Sequence, residues 1–250
     1  MAEPNQSRAD QATAILNTYA TWIDQYRGGM SREFAATIML WESGGNFNAP
    51  GDPSLGEVGF YQVAQYVPAE FGLPPEARND PEGNVCIGLA EYGLENLTWY
   101  LFLPSLIARD SRDAWMLARL SFAIGRGGSQ QLASMAAASS PGDVFGDIVR
   151  YVTANGAPAL GSQSGAKVQQ RVVDILTQMQ IADLVGPNLF GPPTFPPPPP
   201  GVDSNGTPYD QLWTAPPQVA PYYSQPLGWD IWLGLGLVAG AAYFLFGRRS

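Results

Sequence analysis

Glu42 closes the run Trp41-Glu42-Ser43-Gly44-Gly45, and the segment Gly56-Glu57-Val58-Gly59-Phe60-Tyr61-Gln62 follows shortly after it. Residues 34–42 place Phe34, Ile38 and Trp41 at helical spacing, so the acid falls in the last turn of a core-facing helix that Ser-Gly-Gly ends. Apolar walls and the negative end of a helix dipole both disfavour ionisation there. A general acid that protonates a glycosidic oxygen near neutral pH needs such a setting. Gly56 and Gly59 mark a turn where backbone can approach a ligand closely. Gln62 adds two donors and an acceptor suited to a sugar amide or hydroxyl. Taken singly, a Glu at a helix end is a surface residue and two glycines are a turn. The order and spacing of both segments carry the inference.

Helices must position these groups. Helical periodicity covers roughly 10–26, 31–43, 84–108, 111–124, 129–137, 143–153 and 165–185, while 44–80 is rich in Gly, Pro, Asn and Asp and reads as turns. The β-branched alternation of a sheet is scarcely visible, and no internal repeat occurs at a fixed period. The fold class is therefore mainly α. Residues 165–185 carry Val168, Val172, Val173, Ile175 and Leu176 and read as the closing helix of a domain that spans 1–187.

Three motifs in order give the chain a resemblance to the soluble-lytic-transglycosylase domain, related in fold to goose-type lysozyme, and a fourth departs from it. Glu42-Ser43 is similar to that family's Glu-Ser at a helix end, and Gly56, Gly59 and Gln62 to its Gly-x-x-Gly-Leu-Met-Gln turn, with Phe60-Tyr61 in place of Leu-Met. Asp80-Pro81, Asn84-Val85, Gly88 and Tyr92 resemble its Asp-Pro-x-x-Asn-Ile helix start, with Gly93 where Leu is usual. Ser121-Phe122-Ala123-Ile124-Gly125 stands where the family has Ala-Tyr-Asn-x-Gly. The resemblance spans roughly residues 10–185.

It implies a lysozyme-like helical domain that cleaves the β-1,4 bond between N-acetylmuramic acid and N-acetylglucosamine, with a 1,6-anhydro product. Glu42 would be the catalytic acid and then the base, and Ser43 would orient it or bind the acetamido group. Gly59 and Gln62 would line the groove. The family's Tyr hydroxyl and Asn amide are absent, because Phe122 and Ala123 donate no side-chain hydrogen bond. Tyr61, Tyr92 and Gln62 are candidate substitutes, and Arg126 is a candidate cationic donor. A nearby acid holding a water would divert the same site to lysozyme-like hydrolysis, and Asp52 and Glu57 could serve. A rival from another class is a catalytically weak wall-binding or structural protein that keeps the fold.

Composition excludes other chemistries. The chain has no His and a single Cys86, which removes the commonest metal ligand, the usual Ser or Cys activator and any intramolecular disulfide. No metal or cofactor is expected, and Cys86 reads as a small buried apolar residue. A net charge of −9 without a basic stripe argues against nucleic acid as a partner. Recognition of glycan strands would rest on a shaped groove.

Beyond residue 187 the character changes. Residues 188–228 are Pro-rich and poor in charge and read as a semi-rigid linker with a reach on the order of 100 Å. Residues 229–247 read as a transmembrane helix of about the minimum length, with Trp229 and Trp232 at one edge and Tyr243 and Phe246 toward the other, before a basic tail at 248–250. Gly236 and Gly240 have the spacing that lets helices pack closely. Positive-inside bias places Arg248 and Arg249 on the cytoplasm-like side and the enzyme domain on the other. Met-Ala-Glu-Pro-Asn-Gln-Ser-Arg at the start shows no apolar signal segment. A wall enzyme with a C-terminal anchor and no leader suits a phage virion with a membrane, where partners would be glycan strands, the bilayer and other virion proteins. The alternative is a bacterial inner-membrane enzyme of an envelope complex with its domain in the periplasm.

Overall fold

The computed structural model describes residues 4–108 and 110–214, and the transmembrane segment expected at 229–247 lies outside them. The architecture is mainly helical. Its helices are α1 (Pro4–Tyr26), α2 (Arg32–Ser43), a short α3 (Val67–Glu70), α4 (Pro81–Phe102), α5 (Arg112–Ile124), α6 (Arg126–Met135), α7 (Val144–Asn155), α8 (Gly165–Val185) and a short α9 (Tyr209–Leu212), with a 3-10 turn at Pro75–Asn79. Among the described residues no helix is long and apolar enough to cross a membrane.

Local chemistry starts and stops these helices where the sequence says it should. Ser31 accepts the Phe34 N–H at 3.0 Å and starts α2. Asp80 accepts the Gly83 N–H at 2.9 Å, ahead of Pro81 in the first turn of α4. Gly44 ends α2 at φ 66° and donates its N–H to Leu40 at 2.9 Å.

α4 is the central element, buried on nearly every side along its first half. One core, with Ile23, Phe34, Ile38, Tyr61, Ile87 and Tyr92, gathers α1, α2 and the 59–64 turn against it. A second, with Trp99, Leu117, Leu120, Phe145, Ile148 and Val172, gathers α5, α7 and α8 around its far end. The seam between these cores runs past α5, the helix opposite Glu42.

The glycine pattern has a packing cause. A Cβ on Gly88 would lie 2.6 Å from the Tyr61 Cβ, so α4 touches the turn directly at that point. Gly88→Ala should therefore overpack the contact between α4 and the turn and cost about 2 kcal/mol, read as a melting temperature lowered by roughly 4–8 °C.

Asp113 ties α5 to α7 by accepting the Val144 N–H at 3.1 Å and the Phe145 N–H at 2.7 Å. Burial pushes its carboxyl up to about 6, against the pull of those two donors. The folded chain thus holds a proton that the unfolded chain releases, so stability should fall as pH rises from 3.8 to about 6 and level off above. The loss should be on the order of 2–3 kcal/mol, and Asp113→Asn should flatten that limb of a melting-temperature profile against pH.

The segment after α8 is not the free linker expected to begin at 188. The compact unit runs to Thr214, and the Pro-rich chain wraps it as a strap. Gly191 donates its N–H to the Gly29 carbonyl at 2.6 Å, and Trp115 donates its indole N–H to the Gly191 carbonyl at 3.2 Å. The Cys86 thiol, buried as expected, donates to the Pro197 carbonyl at 3.4 Å. Trp213 stacks on Phe71 at 5.2 Å, and Thr214 donates its N–H to the Phe71 carbonyl at 3.0 Å. Prolines suit such a path, because each removes a backbone donor that would otherwise need a partner against the core.

Candidate functional site

Glu42 lies in the last turn of α2, and its side chain is 18% exposed. The apolar surroundings expected for it are corrected by one residue: Arg119 of α5, only 2% exposed, meets the Glu42 carboxylate through Nη2. Arg119 also donates through Nε to the Gln178 amide oxygen at 3.0 Å and through Nη1 to the Tyr92 hydroxyl at 3.2 Å. α2, α4, α5 and α8 each contribute one member of this buried network. Burial works against the Arg119 charge, but Glu42 and Tyr92 outweigh it and hold the guanidinium above its ordinary pKa. Burial likewise holds the Tyr92 hydroxyl in its protonated form, against the pull of Arg119.

The other sequence candidates divide by burial. Tyr61 is a core residue, fully buried, whose hydroxyl donates to the Ala35 carbonyl at 3.1 Å, so it is removed from the substrate-contacting set. Tyr92 is also fully buried and positions Arg119 instead of reaching a groove. Phe122, at the place of the family tyrosine, stacks on the Tyr92 ring at 4.7 Å and 18°. Gln62 is 4% exposed at φ 52°, and its amide donates to the Gly59 carbonyl at 2.8 Å, which holds the turn shut. Ser43 donates its hydroxyl to the Met39 carbonyl at 3.1 Å and not to Glu42. Arg126 pairs with Glu95 at 2.6 Å, 45% exposed.

Gly59 is pinned for a specific reason. It sits at φ 81°, and a Cβ there would lie 2.3 Å from the Asn84 amide nitrogen. Asn84 accepts the Tyr61 N–H at 3.1 Å and donates to the Val58 carbonyl at 3.0 Å and the Arg78 carbonyl at 3.1 Å. Gly59, Asn84 and Gly88 thus lock the turn to α4 and set its position beside Glu42. Much of the motif spacing is explained by this lock.

Of the two acids proposed to hold a water, Glu57 is the one that feels the Glu42 charge, and burial first, then that charge, raises its pKa. The Glu57 carboxylate accepts the Asp52 N–H at 3.1 Å. Asp52 is exposed, and Ser54 occupies one of its oxygens at 2.6 Å. A recess of about 250 Å³ next to the turn is lined by Phe47, Asn48, Ala49, Val58, Gly59 and Asn79. It has two amides and no acid, which suits holding a polar ligand and not reacting with it.

Arg119 and Gln178 are the site residues that sequence reasoning missed. Their signal was present: a lone Arg among Trp115, Leu117, Leu120 and Phe122 on a core helix cannot stay unpaired. No protein-family model, no curated protein and no solved structure matches this chain.

Proposed function

We propose that this chain is a peptidoglycan lytic transglycosylase that cleaves the MurNAc–GlcNAc β-1,4 bond with Glu42 as its catalytic residue. The observation that carries the reading is the Glu42 carboxylate at a helix end, reachable from solvent on one side and held by a buried guanidinium on the other. In the first half-reaction Glu42 gives a proton to the glycosidic oxygen as the bond to C1 breaks, and the substrate acetamido group stabilises the developing positive charge. In the second, the Glu42 carboxylate takes the proton of the muramyl 6-hydroxyl as that oxygen closes onto C1. Arg119 complements the carboxylate form. When Glu42 carries a proton, Arg119 keeps its hydrogen bonds to Tyr92 and Gln178 but loses its counter-charge, so the pair favours the carboxylate that the second half-reaction uses.

Hydrolysis of the same bond is the second reading, favoured by Glu57, which stands within electrostatic reach of Glu42 and could hold a water on the other face of the sugar. Membrane anchoring through residues 229–247 and use in local wall penetration by a phage virion belong to the same proposal. They rest on the apolar C-terminal run. Mass spectrometry of muropeptides released by the full chain tests the chemistry. Anhydromuramic ends support the transglycosylase and reducing ends the hydrolase. Binding to wall without release makes the chain a binding or structural protein.

A further inference from the structure

The recess beside the 59–64 turn takes no part in the proton transfers above. Its volume of about 250 Å³ is far above the ~10–15 Å³ that one water needs and just below the roughly 300–1,000 Å³ of sites for drug-sized ligands, so it takes one ring and not a chain. Phe47, Asn48, Ala49, Val58, Gly59 and Asn79 line it. None of the six carries a charge, so an ionic ligand finds no counter-charge there.

Both walls are fixed from behind. The Phe47 ring is partly buried and packs on Phe60, 5.3 Å between centroids, and Phe60 packs in turn on Tyr19 of α1 at 4.7 Å. The Asn46 side-chain oxygen accepts the Asn48 N–H and the Asn46 carbonyl accepts the Ala49 N–H, each at 3.0 Å. Behind Asn79, the buried Arg78 donates to the carbonyls of Pro75 at 3.2 Å, Val63 at 2.6 Å and Gly56. Asn84 joins the two sides by donating to the Val58 and Arg78 carbonyls. Asn46, Arg78 and Asn84 are thus engaged in holding the recess open. Asn48 and Asn79 are exposed, and their side-chain amides bond to no other described residue, so both stay available to a ligand.

We propose that the recess is a subsite for one N-acetylglucosamine ring of a wall strand, with Phe47 as its platform and Asn48 and Asn79 as its hydrogen-bonding pair. The proposal rests on the wall-substrate reading given above, and it names the part of the strand that is held away from the breaking bond. A pyranose has a slightly positive C–H face that suits the negative face of the Phe47 ring. Its rim of hydroxyls both donates and accepts, which an amide matches with two donors and an acceptor. Ala49 and Val58 give the acetamido methyl an apolar wall. With no cation in the lining, N-acetylglucosamine fits and N-acetylmuramic acid, with its lactyl carboxylate, does not.

The test is a titration of the ¹⁵N-labelled full chain followed by amide chemical shifts, with the methyl β-glycoside of N-acetylglucosamine as the probe and methyl β-glucoside as the comparison. The probe should bind with a Kd of ~1–10 mM and shift the side-chain amides of Asn48 and Asn79 most. Methyl β-glucoside should bind at least about fivefold more weakly. Asn48→Ala and Asn79→Ala should each weaken the probe about three- to tenfold. Glu42→Gln should bind it as the native chain does. No saturable binding below ~50 mM, equal binding of the two glycosides, or shifts confined to other residues would overturn the subsite, and these are read on the native chain without any variant. Affinity unchanged in both Asn variants, or lost in Glu42→Gln, would place the sugar elsewhere and overturn it too. Muropeptide release is the separate readout of the wall-substrate reading. Absent sugar binding with release intact overturns the recess alone, and absence of both removes that reading as well.

Discussion

Glu42→Gln should reduce muropeptide release from purified wall by two to four orders of magnitude, the usual worth of a positioned proton donor and acceptor. The substitution keeps the shape and an acceptor oxygen for Arg119, but removes the proton transfer and the charge that faces the guanidinium. Arg119 is 2% exposed and keeps Tyr92 and Gln178, so the loss of its carboxylate should cost on the order of 1–3 kcal/mol and not unfold the domain. A melting temperature lowered by roughly 3–10 °C, with native circular dichroism at the assay temperature, would place the defect in the chemistry. Unchanged release would remove Glu42 from the reaction. Release lost only in proportion to unfolded protein would make the Glu42–Arg119 pair a structural tie.

Cutting the chain after residue 187 should damage the domain far more than cutting after Thr214. The shorter cut removes Phe190 from its edge contact with Phe34, Asn188 from Ser31, the acceptor of the Trp115 indole and the Trp213 ring that covers Phe71. Phe34, Trp115 and Phe71 are each at most 1% exposed with the strap in place. At about 25 cal/mol per Å² of apolar surface, uncovering such rings costs several kcal/mol. Residues 1–187 should melt at least about 10 °C below residues 1–214, or bind a hydrophobic dye at room temperature. Residues 1–214 should melt with the full chain. Coincident melting of the two truncated chains would show that the strap adds no stability.

The strap escaped sequence reading because composition speaks about solvation and not about docking. A run of prolines is read as a solvated tether, yet a chain with few N–H donors also lies well on an apolar surface. The helices were legible because their buried faces repeat at helical spacing and their ends carry Ser31, Asp80, Ser111 and Ser164 as caps. The turn residues were placed correctly beside α2, but their roles were only half legible. Spacing shows that Gly59, Tyr61 and Gln62 belong together. It cannot show that Tyr61 and Gln62 turn inward, since an aromatic ring and an amide are as suited to a sugar as to a core. Arg119 was hidden for the opposite reason. Its neighbours in sequence are all core residues, and its partners Glu42, Tyr92 and Gln178 lie on three other helices.

Because the strap is fixed at its far end, the domain is held at Phe71 and not at the end of α8. Any load that arrives along the chain from beyond Thr214 meets the Trp213 ring and one amide first, then the strap as a whole. The contacts at Gly29, Ser31, Cys86 and Phe71 are spread over α4 and the loops before α2 and after α3, so tension is shared among them before it can unwind a helix. The Glu42 end of α2 is thereby insulated from traction applied through the C-terminus. An enzyme working on a taut, meshed polymer while tethered from behind would benefit from that separation of pull from geometry.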